Sequence, residues 1–524
     1  MKRLTIIIAI SFIFQTVWAQ HEINIPIQSG ECWYGIATGL GPQLPLQGNT
    51  RVFNLQTNGY SCQGGQFLVS SQGRYLWCDK AYTVQRKDDV LFLSSPRADI
   101  ELGEGGTTLR DAYMAVSKHF PPSGKTPPEE FFLYPTYNTW IELGYQQNQK
   151  GVMEYAHNIV KNGMHPGVLM IDGTWQFDHG EWAFRADRFP NPKEMVDSLH
   201  AMGFKVMLWV SPFISPDCMM YRTHKGLYYR AKGKKEDAIL KWWVGFSAGY
   251  DLSNPEAFTF LTNQFRELQD CYGIDGFKFD AGDCQCYQEK DIDVFDGQSY
   301  DVEQTRLWAQ LAKQFPYNEL RACWGEQSQP IIQRLGDRDY SWEAVTTLIP
   351  SLINAGLLGY QFTCPDMIGG GMISTFEDIK EEDFDPALII RSCQIHSMMP
   401  MMQFSVAPWR ILKPEHMDII RHYADLHVKM GPYIMEQARK AAETGEPIVR
   451  HMDYSFPGEG FEAVTDQYML GDRYLVAPIC TPEEQRTVRL PRGRWRDEQG
   501  KKYKGGRSYV ISVPLERLPY FEKL

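Results

Sequence analysis

The residues best suited to chemistry in this chain are acids that stand where apolar segments end. The sharpest case is Gly273-Ile274-Asp275-Gly276-Phe277-Lys278-Phe279-Asp280-Ala281-Gly282-Asp283, where aromatic and charged residues alternate up to a carboxylate followed by Ala-Gly. Alternation has the period of a strand, and Ala-Gly after it marks a sharp turn. On a strand Lys278 and Asp280 share one face, and Phe277 and Phe279 the other. A cation on the same side favours the ionised form of Asp280, which suits a nucleophile, although a structural Lys–Asp pair would also use these residues. Other acids end or follow apolar runs: Asp172, Glu326, Asp366, and Asp337, Asp339 and Glu343 in one loop. They come with no Ser–His–Asp set, no histidine cluster and no glycine-rich phosphate cradle. Glycoside hydrolysis needs two carboxyl groups across a sugar, one ionised and one protonated, and is the reaction this inventory fits. Asp337 lies about two barrel units beyond Asp280, at roughly 30 residues each. Because Arg338 stands between Asp337 and Asp339, residue chemistry leaves the choice of second acid open.

The elements that must carry these acids follow a changing rhythm along the chain. From Ile23 to Ile100 short alternating runs separated by Gly, Asn and Ser predict an antiparallel β-sandwich, assigned to 20–128 and closed by the linker Pro121–Pro128. Next come strands expected at Phe131–Tyr134, Gly167–Asp172, Lys205–Val210, the Asp280 segment, Leu320–Trp324, Tyr340–Trp342, Leu358–Phe362 and Met399–Phe404. Helix-length segments alternate with them, among them Gly151–Lys161, Pro192–Met202, Pro255–Cys271 and Val302–Gln314. Eight such units over 129–430 predict an α/β fold, a (β/α)8 TIM barrel, whose catalytic side chains sit at the C-terminal ends of the strands. Past Gly431 strands and turns return, and 431–524 reads as a smaller C-terminal β-sandwich.

Composition narrows the partners. Against 53 Lys and Arg stand 64 Asp and Glu, a formal charge of −11, and the basic residues form no run, so nucleic acid and anionic membranes are excluded as expected partners. Aromatic residues make up 13% of the chain, a supply of flat faces that suits a glycoside or oligosaccharide substrate. Residues 1–19 have a charged start, a short apolar centre and a Val17-Trp18-Ala19 exit, the pattern of a cleavable signal peptide; a secreted or periplasmic protein is expected, with no membrane span. Eleven cysteines permit disulfides but leave at least one thiol unpaired. Cys284-Gln285-Cys286 lacks a second ligand pair at zinc spacing, and no metal or organic cofactor is expected.

The Asp280 segment resembles the nucleophile motif of glycoside hydrolase family 31, and in particular its myogenesis-regulating-glycosidase branch. Gly336-Asp337-Arg338-Asp339-Tyr340-Ser341-Trp342-Glu343 resembles the family's acid/base loop, which implies Asp337 as proton donor. The same resemblance implies sugar-pocket roles for Asp172 in Met-Ile-Asp-Gly, Trp209 and Arg321, and Pro365-Asp366-Met367-Ile368-Gly369-Gly370 resembles the family's seventh-strand segment; Asp366, and Lys278 beside Asp280, are counted with the substrate contacts. Met401–Ser405 and Pro408-Trp409-Arg410 resemble the branch's eighth-strand segment. Two departures bear on the sugar pocket: Asp283 stands where many members carry Glu, and Trp324-Gly325-Glu326 where many have small residues, so Trp324 is counted with the substrate contacts. The resemblance implies a retaining exo-acting α-glycosidase, with an α-galactoside as first substrate class and α-glucosides or α-xylosides next. A transglycosylase would share every catalytic residue. A catalytically inactive glycan-binding barrel would have to lack one of the two acids.

Overall fold

The computed structural model describes residues 18–60, 63–377 and 379–524. Positions 1–17 of the expected signal peptide, and Cys62, lie outside the described residues. Its last two residues belong to a short strand, Trp18–Gln20, that pairs antiparallel with Ile100–Leu102.

Eight parallel strands form the central sheet: β1 Thr136–Asn138, β2 Val168–Ile171, β3 Lys205–Val210, β4 Gly276–Phe279, β5 Tyr317–Leu320, β6 Ile332–Arg334, β7 Thr363–Cys364 and β8 Gln403–Phe404. The sheet order runs from β7 through β6, β5, β4, β3, β2 and β1 to β8, which is a barrel open only between β7 and β8. The Ile368 amide spans that gap by donating to the Gln403 carbonyl at 2.8 Å.

Four expected strands lie elsewhere. Phe131–Tyr134 is not the first strand: Glu130–Leu133 is a single helical turn that buries Phe131 and Phe132, and β1 starts only after Pro135. The fifth strand lies earlier than Leu320–Trp324, so Trp324 and Glu326 fall beyond its end. The sixth is Ile332–Arg334 rather than Tyr340–Trp342, whose Trp342 starts a helix capped by Ser341. The seventh is Thr363–Cys364 rather than Leu358–Phe362, whose Leu358 caps the helix Leu348–Leu357.

The segment before β4 illustrates how local sequence delivers a site residue. The helix Pro255–Tyr272 starts at Asn254, whose side chain accepts from the Glu256 amide, and has Pro255 in its first turn. It ends at Gly273, in a left-handed conformation (φ 78°) that an L side chain would strain. Phe265 on its buried face meets Phe277 and Phe279 at ring distances of 5.1 and 5.8 Å. Those two rings therefore anchor the outer face of β4, and Lys278 and Asp280 are left to the barrel interior.

Before the barrel lie a five-stranded and a four-stranded antiparallel sheet, and after it a six-stranded sheet with a two-stranded companion. The helix Pro414–Thr444 runs through position 430, so the barrel side of the chain extends to the C-terminal strands that begin at Val449. The N-terminal sheets and the barrel share one continuous apolar core, while the C-terminal strands enclose a second one around Trp495 and Phe521. The ten described cysteines are unpaired; Cys284 and Cys286 point their thiols at the carbonyls of Leu55 and Lys241. Among the described residues no helix is long and apolar enough to cross a membrane.

Candidate active site

Parallel register lays charged side chains across the top of the barrel. Trp209 of β3 is opposite Lys278 of β4, and Lys278 is opposite Glu319 of β5. Lys278 donates to Asp172, just past β2, at 2.6 Å, and both side chains are buried. The partner of Lys278 is thus Asp172 rather than Asp280. Burial alone would pull the ammonium down, but Asp172, with Asp280 and Asp337 behind it, holds it above its ordinary value.

Asp280 follows β4 directly. The turn after it places Ala281 at φ 57° and lets the Ala281 amide donate to Asp280 Oδ1 at 3.0 Å. Trp209 Nε1 donates to Oδ2 at 2.8 Å. Burial would raise this carboxyl, yet Lys278, Arg321 and Arg334, helped by the indole N–H, hold it below the usual carboxylate range.

Arg321, one residue past β5, ties the acids together. Its Nε lies 3.3 Å from Asp283 and 3.8 Å from Asp280, and its Nη1 lies 3.9 Å from Asp337. The guanidinium is stacked on the Trp243 ring, 4.5 Å from its centroid.

The second acid cluster is built on β6. Arg334 is fully buried and directs Nη1 at Asp337 Oδ1 (2.6 Å) and Asp366 Oδ1 (3.1 Å), with Nε 3.4 Å from Glu319. Asp366 also accepts from the Arg338 amide at 2.9 Å. Burial pushes Asp366 up to about 7 despite Arg334, and the nearby charge of Asp337 adds to the rise. Glu319, held by Gln403 at 2.7 Å, is raised by burial as well. Arg334 carries no sequence signal of its own, because a basic residue inside a three-residue strand fits no apolar pattern.

A cavity of about 370 Å³ opens above these groups, with Asp172, Trp209, Lys278, Asp280, Arg321 and Asp337 in its walls. Trp140, Tyr145, Trp243 and the Met372–Ser374 loop form its upper part. Of the expected sugar contacts, Asp366 lies fully buried behind Asp337, and Trp324 lies elsewhere. The indole of Trp324 packs on Gly64 of the N-terminal sheets, where a Cβ would come within 2.7 Å of the ring. Glu326 is paired with Lys313 at 2.7 Å outside the cavity, and Asp339 and Glu343 are exposed to solvent.

His179, which sequence reasoning missed, also lines the cavity. Its ring lies 5.4 Å from Trp209 and 5.3 Å from Trp242, and burial pulls its pKa down to about 4, so it is neutral at physiological pH. A lone histidine in a loop has no spacing that would single it out. Among the described residues no group of His, Cys, Asp and Glu side chains forms a metal-type cluster.

Two carboxyl groups facing one cavity, one of them held in its ionised form, are what glycosidic bond cleavage calls for. The sequence matches the TIM-barrel domain of glycosyl hydrolases family 31 over residues 134–437, more than half the chain, and the family's C-terminal domain over residues 445–523. The chain belongs to glycosyl hydrolase family 31. Within the family it is 30% identical over 422 residues to the myogenesis-regulating glycosidase of Mus musculus, covering 78% of this chain and 58% of that protein. It is 26% identical over 550 residues to an alpha-xylosidase of Emericella nidulans, covering 95% of this chain and 66% of the fungal one. The chain thus spans less than two thirds of either relative. A family 31 dextranase from Flavobacterium johnsoniae shares the fold, with a TM-score of 0.84 at 19% identity over 96% of this chain and 66% of its own.

Proposed function

We propose that the protein is a retaining, exo-acting α-glycoside hydrolase in which Asp280 is the nucleophile and Asp337 the acid and then the base. The observation that carries this reading is the environment of Asp280: buried, bonded through both oxygens, and held ionised within a cavity that Asp337 also faces. Asp280 attacks the anomeric carbon while the proton of Asp337 passes to the glycosidic oxygen, and the aglycone leaves as an alcohol. Water then attacks the glycosyl-enzyme, gives its proton to Asp337 and releases the sugar with its starting anomeric configuration. Arg334 occupies Asp337 Oδ1, and Oδ2 stands 3.9 Å from Arg321, beyond hydrogen-bond range; Oδ2 is therefore the oxygen to carry the transferred proton. Asp172, fixed by Lys278 and by the Gly173 amide at 2.8 Å, is placed to accept from sugar hydroxyls.

The first sugar proposed is an α-galactoside, on the resemblance of the Asp280 and Met401–Ser405 segments to their branch of the family. Alpha-xylosidases and an alpha-glucosidase among the relatives support α-xylosides and α-glucosides as the alternative. A panel of aryl α-glycosides, with the first-formed anomer followed by proton NMR, tests sugar and stereochemistry together. Release of the inverted anomer, or cleavage confined to β-glycosides, would overturn the reading. The proposal includes export with cleavage after Ala19, which N-terminal sequencing of the mature protein checks; a mature chain that still begins at Met1 counts against it.

A further inference from the structure

The roof of the cavity differs in kind from its floor. The strands Leu240–Trp242 and Gly245–Gly249 pair as a hairpin with Trp242 opposite Gly245, so Trp243 and Val244 are its two-residue turn. Trp242 anchors this hairpin from inside, buried against Phe213 at 4.6 Å and bonded through Nε1 to Ser247 at 3.0 Å. Trp243 and Val244 are thereby held over the cavity and remain 52% and 46% exposed. Across the opening, the loop after β7 presents Met372 and Ile373, held by the Met372 amide on the Arg338 carbonyl (2.9 Å) and by Trp140 Nε1 on the Gly371 carbonyl (2.9 Å). Tyr145 stands edge-on to Trp140 at 5.2 Å and closes a third side. Exposed apolar side chains scattered singly are ordinary, but a group of them around one opening marks a binding surface, and here four, Tyr145, Trp243, Val244 and Met372, border one cavity.

The charged groups that can hold a sugar lie on the floor, with Asp280, Asp172 and Lys278. The roof is where a leaving group must stand once the sugar is seated. Flat rings alone would serve another sugar, but Val244, Met372 and Ile373 offer neither a stacking face nor a hydrogen bond. The geometry points to a leaving-group site built for an apolar aglycone, so that alkyl or aryl α-glycosides are better substrates than those with a small or polar leaving group. This inference rests on the glycosidase reading above and adds the chemistry of the half of the substrate that is discarded.

Octyl, benzyl and methyl α-galactosides separate the two, because the three alcohols differ little in acidity while their apolar surface differs greatly; α-glucosides are run in parallel, with octyl compounds below their micellar concentration. Burying a few methylene groups should raise kcat/KM for the octyl over the methyl glycoside by about tenfold or more, chiefly through KM. A benzyl advantage without an octyl one would assign the site to aryl groups. In the Val244→Ser/Met372→Ser double variant the octyl-to-methyl ratio should fall toward one. A wild-type ratio near one, or a ratio unchanged in the double variant, overturns the inference. Binding to Asp280→Asn, followed by isothermal titration calorimetry, tests the same preference without turnover. Tighter octyl than methyl binding to the variant, with no cleavage of any glycoside by the wild type, would sink the catalytic reading and keep only the apolar binding site, and equal binding would sink this inference.

Discussion

The two acids of the site are housed in opposite ways. Asp280 has one oxygen fixed by an indole N–H and the other by a backbone amide, and its side chain is 10% exposed. Asp337 has a side chain 23% exposed, and Arg334, which it meets at 2.6 Å, is divided among Asp337, Asp366 and Glu319. A carboxylate that must stay ionised is served by donors that cannot move away, since they are preorganised for its charge. A group that must give up a proton and take it back is served by access to the cavity and by a cation whose charge neighbouring carboxylates already offset.

Four substitutions break or sharpen this contrast. The largest effect is expected from Asp280→Asn, which should lower kcat by about 10⁴-fold or more, as removal of a nucleophile does. A loss below about tenfold would mean that Asp280 is not the carboxylate that reacts.

Asp337→Asn should depend on the leaving group. With methyl glycosides, which need a proton on the departing oxygen, the expected loss is about 10²–10⁴-fold. With 2,4-dinitrophenyl glycosides the pre-steady-state burst should be nearly intact. Equal losses on both substrates would remove Asp337 from the acid role.

Trp209→Phe keeps the ring and deletes the donor to Asp280. A hydrogen bond to a charged group contributes about 1.5–3 kcal/mol, so kcat/KM should fall roughly 10- to 100-fold. The acid limb of its pH profile should also move to higher pH, because the ionised form has lost a donor. An unmoved limb would show that the indole does not tune Asp280.

The smallest effect is expected from Asp366→Asn, and it is on stability. The carboxyl of Asp366 titrates at about 7 in the folded protein and near 3.9 when unfolded. Its protonated form therefore contributes stability that is complete below about pH 3.9 and lost as pH rises through 7. Asparagine does not titrate, so urea denaturation should find the variant gaining on the wild type from about pH 4 to pH 7 and level beyond. A difference that stays flat over that range would place the buried proton elsewhere.

Much of the surroundings of Asp280 was legible in the sequence, because β2 and β4 are apolar or alternating runs that lead straight into Asp172 and Asp280, and β3 carries Trp209 one residue before its end. The side that holds Asp337 was less so. Its strand is three residues long and carries Arg334 inward, a placement that becomes favourable only when Glu319, Asp337 and Asp366 arrive from elsewhere in the chain. Phe131-Phe132-Leu133 has the composition of a strand but lies between prolines, as one helical turn under the barrel. Trp324 stands where many family members have small residues, which points to the sugar pocket, but it lies beyond the end of β5 and packs on the N-terminal sheets. Asp337 could be chosen over Asp339 by resemblance alone, and the structure separates them by putting one in the cavity and the other in solvent.

One contact at the seam between sandwich and barrel has a further consequence. Gln63, buried in the N-terminal sheets and steadied by Thr38 Oγ1 at 3.0 Å, donates from Nε2 to the backbone carbonyls of both Arg321 and Arg334, the latter at 2.7 Å. The two arginines that organise the acids thus take part of their backbone support from outside the barrel. The sandwich acts as a jig that sets their spacing, and a barrel joined to a different N-terminal module would inherit the acids without the alignment between them.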